Sequence, residues 1–230
     1  MDRLSESLKQ YLCDQGAALC GFADLHNLVD GELSYGVSVA VRVPKPVVES
    51  ISDGPTPAYF DAYHTLNDQL DGLVTAGADF LKKRGYNAYP QTRANVTESD
   101  DYRTRLPHKT VATRAGLGWI GKSALFVSFF YGPAIRLSSL LTDAPLTAST
   151  PVTRSRCGNC TKCKDACPGR AISGKNWYAG LDREEFFDAQ ACRKAARELS
   201  AQKLNKEITL CGKCFEVCPY TKGGLKAHNP

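Results

Sequence analysis

Apolar residues recur at Leu4, Leu8, Tyr11 and Leu12, the three- and four-residue steps of one helix face, and Gly16 ends the run. A helix is predicted there. From Tyr35 to Val43, valines alternate with small or polar residues until Pro44 and Pro46, the period-2 pattern of a strand stopped by proline. Tyr59, Tyr63, Leu66, Leu70, Leu73 and Val74 return to helical steps and predict one long amphipathic helix over residues 57–83, with Gly72 or Gly77 as points of interruption. Residues 85–90 read as a helix stop and a short strand. Residues 92–105, polar, charged and without period, are expected to form a mobile loop beside a site. A helix is predicted at His108–Ala115. Two β-rich runs follow, Ser123–Phe130 and Ala134–Leu141, expected to pair as a hairpin through Tyr131-Gly132-Pro133. Small residues, prolines and threonines from Asp143 to Pro151 read as a linker, so the expected division is into residues 1–150 and 151–230.

A chain of 230 residues with 43% hydrophobic content can bury a core as one large domain or two small ones. Its longest apolar runs, such as Ala124–Phe130, fall short of the roughly 20 residues that a membrane-spanning helix needs. The first residues lack the apolar core of a signal peptide, so the expected place is the cytoplasm, with no membrane partner. Ten cysteines in a reducing compartment point to metal or redox chemistry rather than disulfides. Cys13 and Cys20 stand apart and are expected to be buried apolar side chains; the other eight lie between Cys157 and Cys218. Residues 151–230 hold 15 Lys and Arg against 8 Asp and Glu, a net of +7, whereas residues 1–150 hold 14 against 16, a net of −2. The basic charge therefore travels with the cysteines, where it would attract an acidic electron carrier or a phosphate backbone.

Cys157-Gly158-Asn159-Cys160-Thr161-Lys162-Cys163-Lys164-Asp165-Ala166-Cys167-Pro168 is a C-x2-C-x2-C-x3-C-P run, the spacing of bacterial two-cluster ferredoxins, in which the fourth cysteine ligates the other cluster. Cys211, Cys214 and Cys218-Pro219 form a second run that is one cysteine short, and Cys192 is the candidate for the missing ligand. Crosswise ligation assigns Cys157, Cys160, Cys163 and Cys218 to one 4Fe-4S cluster and Cys167, Cys192, Cys211 and Cys214 to another. Structural zinc is the alternative, since paired C-x2-C knuckles bind it with four thiolates per ion. Zinc explains neither three cysteines in one short run nor the proline that closes both.

Gly116-Leu117-Gly118-Trp119-Ile120-Gly121 matches G-x-G-x-x-G, a dinucleotide fingerprint when it follows a strand and opens a helix. Here a predicted helix precedes it and strand is predicted after it, which argues against a dinucleotide. Residues 115–122, then Leu141-Thr142-Asp143-Ala144-Pro145-Leu146, then the two cysteine runs, resemble the epoxyqueuosine reductases, cobalamin-dependent iron–sulfur enzymes of tRNA queuosine synthesis; the likeness is firm from about residue 105 to 220 and looser upstream.

The resemblance implies an α+β chain: a nitroreductase-like α/β N-terminal domain that binds cobalamin, followed by a small ferredoxin-like domain with two 4Fe-4S clusters. Reductive dehalogenases are similar in this pairing. Gly116, Leu117, Gly118, Trp119, Ile120, Gly121 and Lys122 would then hold the corrin, the glycines by close backbone approach; a tight helix-to-strand turn is the other reading of the same residues. No histidine sits in a D-x-H-x-x-G motif, so the corrinoid is expected base-off. A flavin is the alternative cofactor, because nitroreductase-like folds ordinarily hold one. His108, Tyr102 and Arg105 are the candidate catalytic residues, His108 as a proton donor or cofactor contact.

An external donor such as flavodoxin or ferredoxin would supply electrons, and a small molecule or a corrinoid would receive them. The alternatives to an enzyme are a protein that handles cobalamin and a plain electron carrier. Two departures from the tRNA enzymes stand out. Leu106-Pro107-His108-Lys109-Thr110 has no aspartate where those enzymes place a proton donor, and their helical-repeat tail has no counterpart before Pro230. On those grounds tRNA is not expected as a partner.

Overall fold

The computed structural model describes residues 2–29 and 31–227. Asp2 opens the first helix, α1 (Arg3–Asp14), by accepting the Leu4 and Ser5 amides, two donors that a helix start leaves unpaired. Strand β1 (Leu19–Asp24) then pairs antiparallel with β2 (Tyr35–Arg42), Leu19 opposite Ala40 and Asp24 opposite Tyr35. Pro44 ends the strand and starts a short helix, α2 (Lys45–Glu49). The long helix α3 (Pro57–Lys82) runs 26 residues without a break. Gly77, expected as a point of interruption, serves packing instead: a Cβ there would come within 2.7 Å of the Leu140 side chain and 3.3 Å of Leu12.

After β3 (Ala88–Pro90) and α4 (His108–Arg114) come three strands, β4 (Gly118–Ile120), β5 (Phe126–Ser128) and β6 (Ile135–Thr142). The hairpin expected across Tyr131-Gly132-Pro133 does not form. β5 pairs with β4 in a two-stranded sheet, while β6 joins a four-stranded sheet of order β1-β2-β6-β3, antiparallel to β3 with Ala88 opposite Thr142. The physical reason lies at Gly132, whose left-handed backbone (φ 58°) is pressed against the Tyr220–Thr221 main chain, 2.4 Å from where a Cβ would sit. That contact turns the chain away before a second strand can pair back. The rest is helical and loop-rich: α5 (Lys162–Asp165), a 3-10 turn at Arg183–Glu185, α6 (Ala189–Leu204), α7 (Lys213–Glu216) and α8 (Pro219–Ala227).

The chain is thus a mixed α/β protein with two small sheets, and it divides into two compact units, each assembled from separate stretches. One comprises Met1–Arg42, Leu66–Gly118 and Arg136–Val152; the other Val43–Thr65, Trp119–Ile135 and Thr153–Pro230. The last crossing between them, after Val152, falls beside the division expected near residue 150. The earlier crossings pass through α3 and through the glycine motif, whose second half, from Trp119, belongs to the cysteine-bearing unit.

Within the first unit Ala23, Leu25, Leu106, Val111 and Ala115 form one buried cluster. Within the second, Trp119 is wholly buried between Phe129 and Tyr220 (ring centroids 5.3 and 4.8 Å), and Tyr59 packs edge-on against Phe215 at 5.6 Å. Gly212 (φ 84°), beside Cys211, is needed there, because a Cβ would lie 2.6 Å from the Ile51 side chain. Among the described residues no helix is long and apolar enough to cross a membrane.

Candidate functional site

The C-x2-C spacings place Cys163 on α5 and Cys214 on α7, two single-turn helices that pack together, with Cys192 in the first turn of α6 and Cys218 immediately before the Pro219 that starts α8. Proline suits a first helical position because its missing N–H is one that has no helical partner there. All eight of these cysteines are half-buried. Burial first, and then the neighbouring Cys157, Cys218 and Cys160, push the Cys163 thiol up to about 11. Burial likewise raises Cys218, with Cys157 and Cys160 adding to it against amide hydrogen bonds from Tyr220 and Thr221.

Cys192 rises to about 11 through burial, then Cys167, Cys211 and Asp188. Cys214 is raised by burial and then by Cys211, Cys192, Cys163 and Cys167. After burial, each of these raised thiols is acted on by a particular set of neighbouring sulfurs. Cys157, Cys160, Cys163 and Cys218 make one neighbourhood, Cys167, Cys192, Cys211 and Cys214 another, and the action of Cys163 on Cys214 makes the two adjacent.

Burial makes Cys163, Cys192, Cys211, Cys214 and Cys218 resist ionisation, and a cationic iron–sulfur core reverses that by neutralising the thiolates it ligates. The donor chemistry therefore fits such groups. Backbone amides already serve the sulfurs: Ala171 donates to Cys167 at 3.4 Å, Lys213 to Cys211, and Tyr220 and Thr221 to Cys218. Thr221 Oγ1 and Trp119 Nε1, both in this unit, are buried without a hydrogen-bond partner. Among the described residues no three His, Cys, Asp or Glu side chains are gathered tightly enough to hold a single metal ion. Of the remaining cysteines, Cys20 is buried, its thiol pushed up to about 12, but Cys13 is exposed on α1, contrary to its expected burial.

The glycine motif is occupied by its own chain. Gly116 (φ 69°) has the Thr150 carbonyl oxygen 2.9 Å from where a Cβ would stand, and Leu117 lies across Gly21. Gly121 faces Val127 at 2.8 Å and Cys157 Sγ at 3.7 Å. Gly118, Trp119 and Ile120 are buried in β4, and Lys122 Nζ donates to the Cys160 carbonyl at 3.0 Å. Gly116 and Gly121 thus lie against protein atoms and offer no open cradle to a corrin ring.

In the first unit Gln91 Nε2 donates to the Leu106 carbonyl (3.4 Å), which turns Gln91 Oε1 toward Ser139; the Ser139 hydroxyl donates to it at 2.6 Å. With that proton spent, Ser139 Oγ accepts from His108 Nδ1 at 2.8 Å, so the imidazole carries its proton on Nδ1. Burial holds the His108 pKa down at about 4, Asp71 raising it and Arg136 lowering it more weakly. A neutral imidazole of this kind is a strut or a proton acceptor, and a poor proton donor at neutral pH.

Arg105 is exposed and lines a cavity of about 490 Å³ together with Gln91, Tyr89 and Leu106. Tyr102 takes a left-handed turn (φ 61°) in the 92–105 segment and is not among the cavity's lining residues. Gln91 was missed by sequence reasoning, since a lone glutamine after a short strand carries no motif.

Residues 156–221 match the family model described as a 4Fe-4S double cluster binding domain. The chain is 33% identical over 168 residues to the epoxyqueuosine reductase of Lactococcus garvieae, a match covering 71% of this chain and 42% of that protein. It spans less than half the length of the curated relatives it matches. Its fold superposes on an epoxyqueuosine reductase solved with an epoxyqueuosine-modified tRNA-Tyr stem loop (TM-score 0.64, 23% identity, 96% of this chain and 66% of that one). A reductive dehalogenase whose structure suggests a mechanism for B12-dependent dehalogenation superposes equally well (TM-score 0.65, 20% identity, 93% and 30%).

The first of these overturns the expectation against tRNA. An enzyme that shares its fold with 96% of this chain has been solved with a tRNA stem loop. In sequence and in fold this chain is a relative of the epoxyqueuosine reductases, and it carries a 4Fe-4S binding domain.

Proposed function

We propose that this chain is an iron–sulfur oxidoreductase of the epoxyqueuosine reductase type, with a nucleoside in a tRNA stem loop as its substrate. The observation that carries the reading is the meeting of two cysteine runs as two thiol neighbourhoods, each drawing ligands from both halves of the sequence 157–218. Cys157, Cys160, Cys163 and Cys218 hold one 4Fe-4S cluster, and Cys167, Cys192, Cys211 and Cys214 hold the second. Such clusters, when bound, relay single electrons over a wide range of potentials.

Reductive removal of an epoxide oxygen takes two electrons and two protons and releases water, so one-electron carriers must fire twice. The net charge of +7 over residues 151–230 supports docking of an acidic donor such as flavodoxin or ferredoxin, and of an RNA backbone. The first unit, read as a nitroreductase-like domain, holds the electron acceptor. A base-off corrinoid is the proposed acceptor on the ground of fold alone, because the glycine motif offers it no cradle.

The test starts from protein purified without oxygen. About eight irons and as many labile sulfides per chain are expected, with visible absorption bleached by dithionite. Titration with hydroxocobalamin and, separately, with a flavin then identifies the acceptor. The reduced protein is expected to remove one oxygen from an epoxyqueuosine-modified stem loop, read by mass spectrometry, with an RNA affinity that falls steeply as salt is raised. Zinc with essentially no iron overturns the reading.

A further inference from the structure

Lys122 is only 4% exposed, yet its ammonium makes a single hydrogen bond, to the Cys160 carbonyl at 3.0 Å, and among the described residues no carboxylate pairs with it. Burying a cation is unfavourable unless an opposite charge answers it. Lys122 sits against the first thiol neighbourhood: the Cys160 carbonyl belongs to one of its residues, and the adjoining Gly121 lies against Cys157 Sγ, 3.7 Å from where a Cβ would sit.

The other thiol neighbourhood differs. There a cation and a carboxylate oppose each other: Lys213, half-buried with its ammonium on the Ser52 carbonyl, acts on Cys211, and Asp188 acts on Cys192. We infer that Lys122 is the charge that sets the site formed by Cys157, Cys160, Cys163 and Cys218 at the higher potential of the two, making it the electron's destination within this unit. The assignment rests on the two-cluster reading above.

The physics is electrostatic. When an external one-electron donor is oxidised, the site it reduces gains one negative charge, and no bond or proton changes hands. A fixed buried cation lowers the energy of that added charge, in a medium where screening by water and salt is weak. The unpartnered hydroxyl of Thr221, whose amide already serves Cys218, and the indole N–H of Trp119 are further buried donors in the same unit.

The test is a potentiometric titration, followed by electron paramagnetic resonance, of anaerobic wild-type protein and of Lys122→Gln, Lys122→Met and Asp188→Asn. Gln keeps a donor for the Cys160 carbonyl and removes the charge; Asn at 188 keeps the cap of α6 and removes its charge. One of two couples is expected to fall in both Lys122 variants, so that at its wild-type midpoint the reduced fraction drops about tenfold relative to the oxidised, about 59 mV for one electron. Asp188→Asn is expected to raise the other couple.

Midpoints unmoved in Lys122→Gln with full iron content overturn the assignment. So does a shift in Lys122→Met alone, which would make the hydrogen bond, not the charge, the agent. If Lys122→Met fails to hold iron, Lys122→Gln decides. Wild-type protein without iron overturns the two-cluster reading itself, and with it this assignment.

Discussion

Around His108 the first unit satisfies its own buried polar groups, and its one unpartnered buried side-chain atom among the described residues, Ser38 Oγ, lies apart on β2; the second unit leaves several such groups together around its cysteines. Around His108 every hydrogen-bonding step has a partner on this chain, from the Leu106 carbonyl through Gln91 and Ser139 to the imidazole. Around the cysteines the thiols repel one another, Trp119 Nε1 and Thr221 Oγ1 have no partner, and Lys122 has no counter-charge among the described residues. A closed network costs little and holds a shape. An open one is costly unless occupied, so the gathering of unsatisfied groups around the cysteines marks the chemistry, where the isolated Ser38 Oγ does not.

The largest effect that separates the two units is loss of the metal. Cys214→Ser is expected to remove one cluster, taking iron from about eight to about four per chain, and to loosen the second unit, since α5 buries no residue and α7 only Phe215, so that metal binding is there coupled to folding. Amide hydrogen exchange checks this: protection should collapse over the cysteine loops and persist over β1 and β2. Equal loss in both units would break the contrast.

How much of this was legible in the sequence follows the same line. The cysteine runs show their candidate chemistry by spacing, because three thiols within seven residues, as from Cys157 to Cys163, can wrap one small inorganic core whatever surrounds them. Periodicity placed α1, β2 and α3, whose apolar faces repeat over many residues. It missed β1, where Leu19, Cys20, Gly21, Phe22 and Ala23 are all buried and no alternation shows. It paired β5 with β6 wrongly because the contact that diverts the chain, Gly132 on Tyr220–Thr221, joins residues some ninety positions apart. Tertiary contacts decided those cases. The same holds for Gly116 and Gly121, whose letters match a cofactor motif while their neighbours are Thr150, Val127 and Cys157.

Acid offers a second test, on the other side of the comparison. Burial lowers the His108 pKa to about 4 from its usual value near 6.5, so between those pH values the unfolded chain binds a proton that the folded chain does not. Stability contributed by the neutral imidazole is whole above about pH 6.5 and is lost as the pH falls toward 4, by about 3 kcal/mol at the limit. Chemical denaturation of the first unit across that range checks it. His108→Gln, which cannot titrate, should flatten the curve; an unchanged pH dependence in that variant would assign the effect elsewhere.

Ser139→Ala probes the relay at its centre. It strands Gln91 Oε1 and His108 Nδ1 together, both inside the fold, and each stranded group costs about 1–3 kcal/mol, less where a water can enter. The expected outcome is a loss of about 2 kcal/mol in the first unit, with iron content and cluster absorption unchanged. Loss of iron in this variant would show that the two units are not satisfied independently.

The smallest effect is the sharpest control, because it removes a charge that its own chain already answers in full. Asp2 accepts the Leu4 and Ser5 amides at 2.9 Å each, the Ser5 hydroxyl at 2.5 Å, and both the amide and the hydroxyl of Thr147, which together hold its carboxyl well below the usual carboxylate range. Asp2 is exposed, so water replaces much of what Asp2→Ala removes, and the cost is that of a lost helix cap, about 1 kcal/mol. Asp2→Asn keeps the acceptor oxygen without the charge and should recover most of it. Calcium or magnesium should not stabilise the wild type through this carboxylate, whose oxygens are already taken. A large divalent-cation effect confined to the wild type would mean that a charge answered by its own chain can still recruit an occupant, and the contrast between the closed and the open networks would lose its diagnostic value.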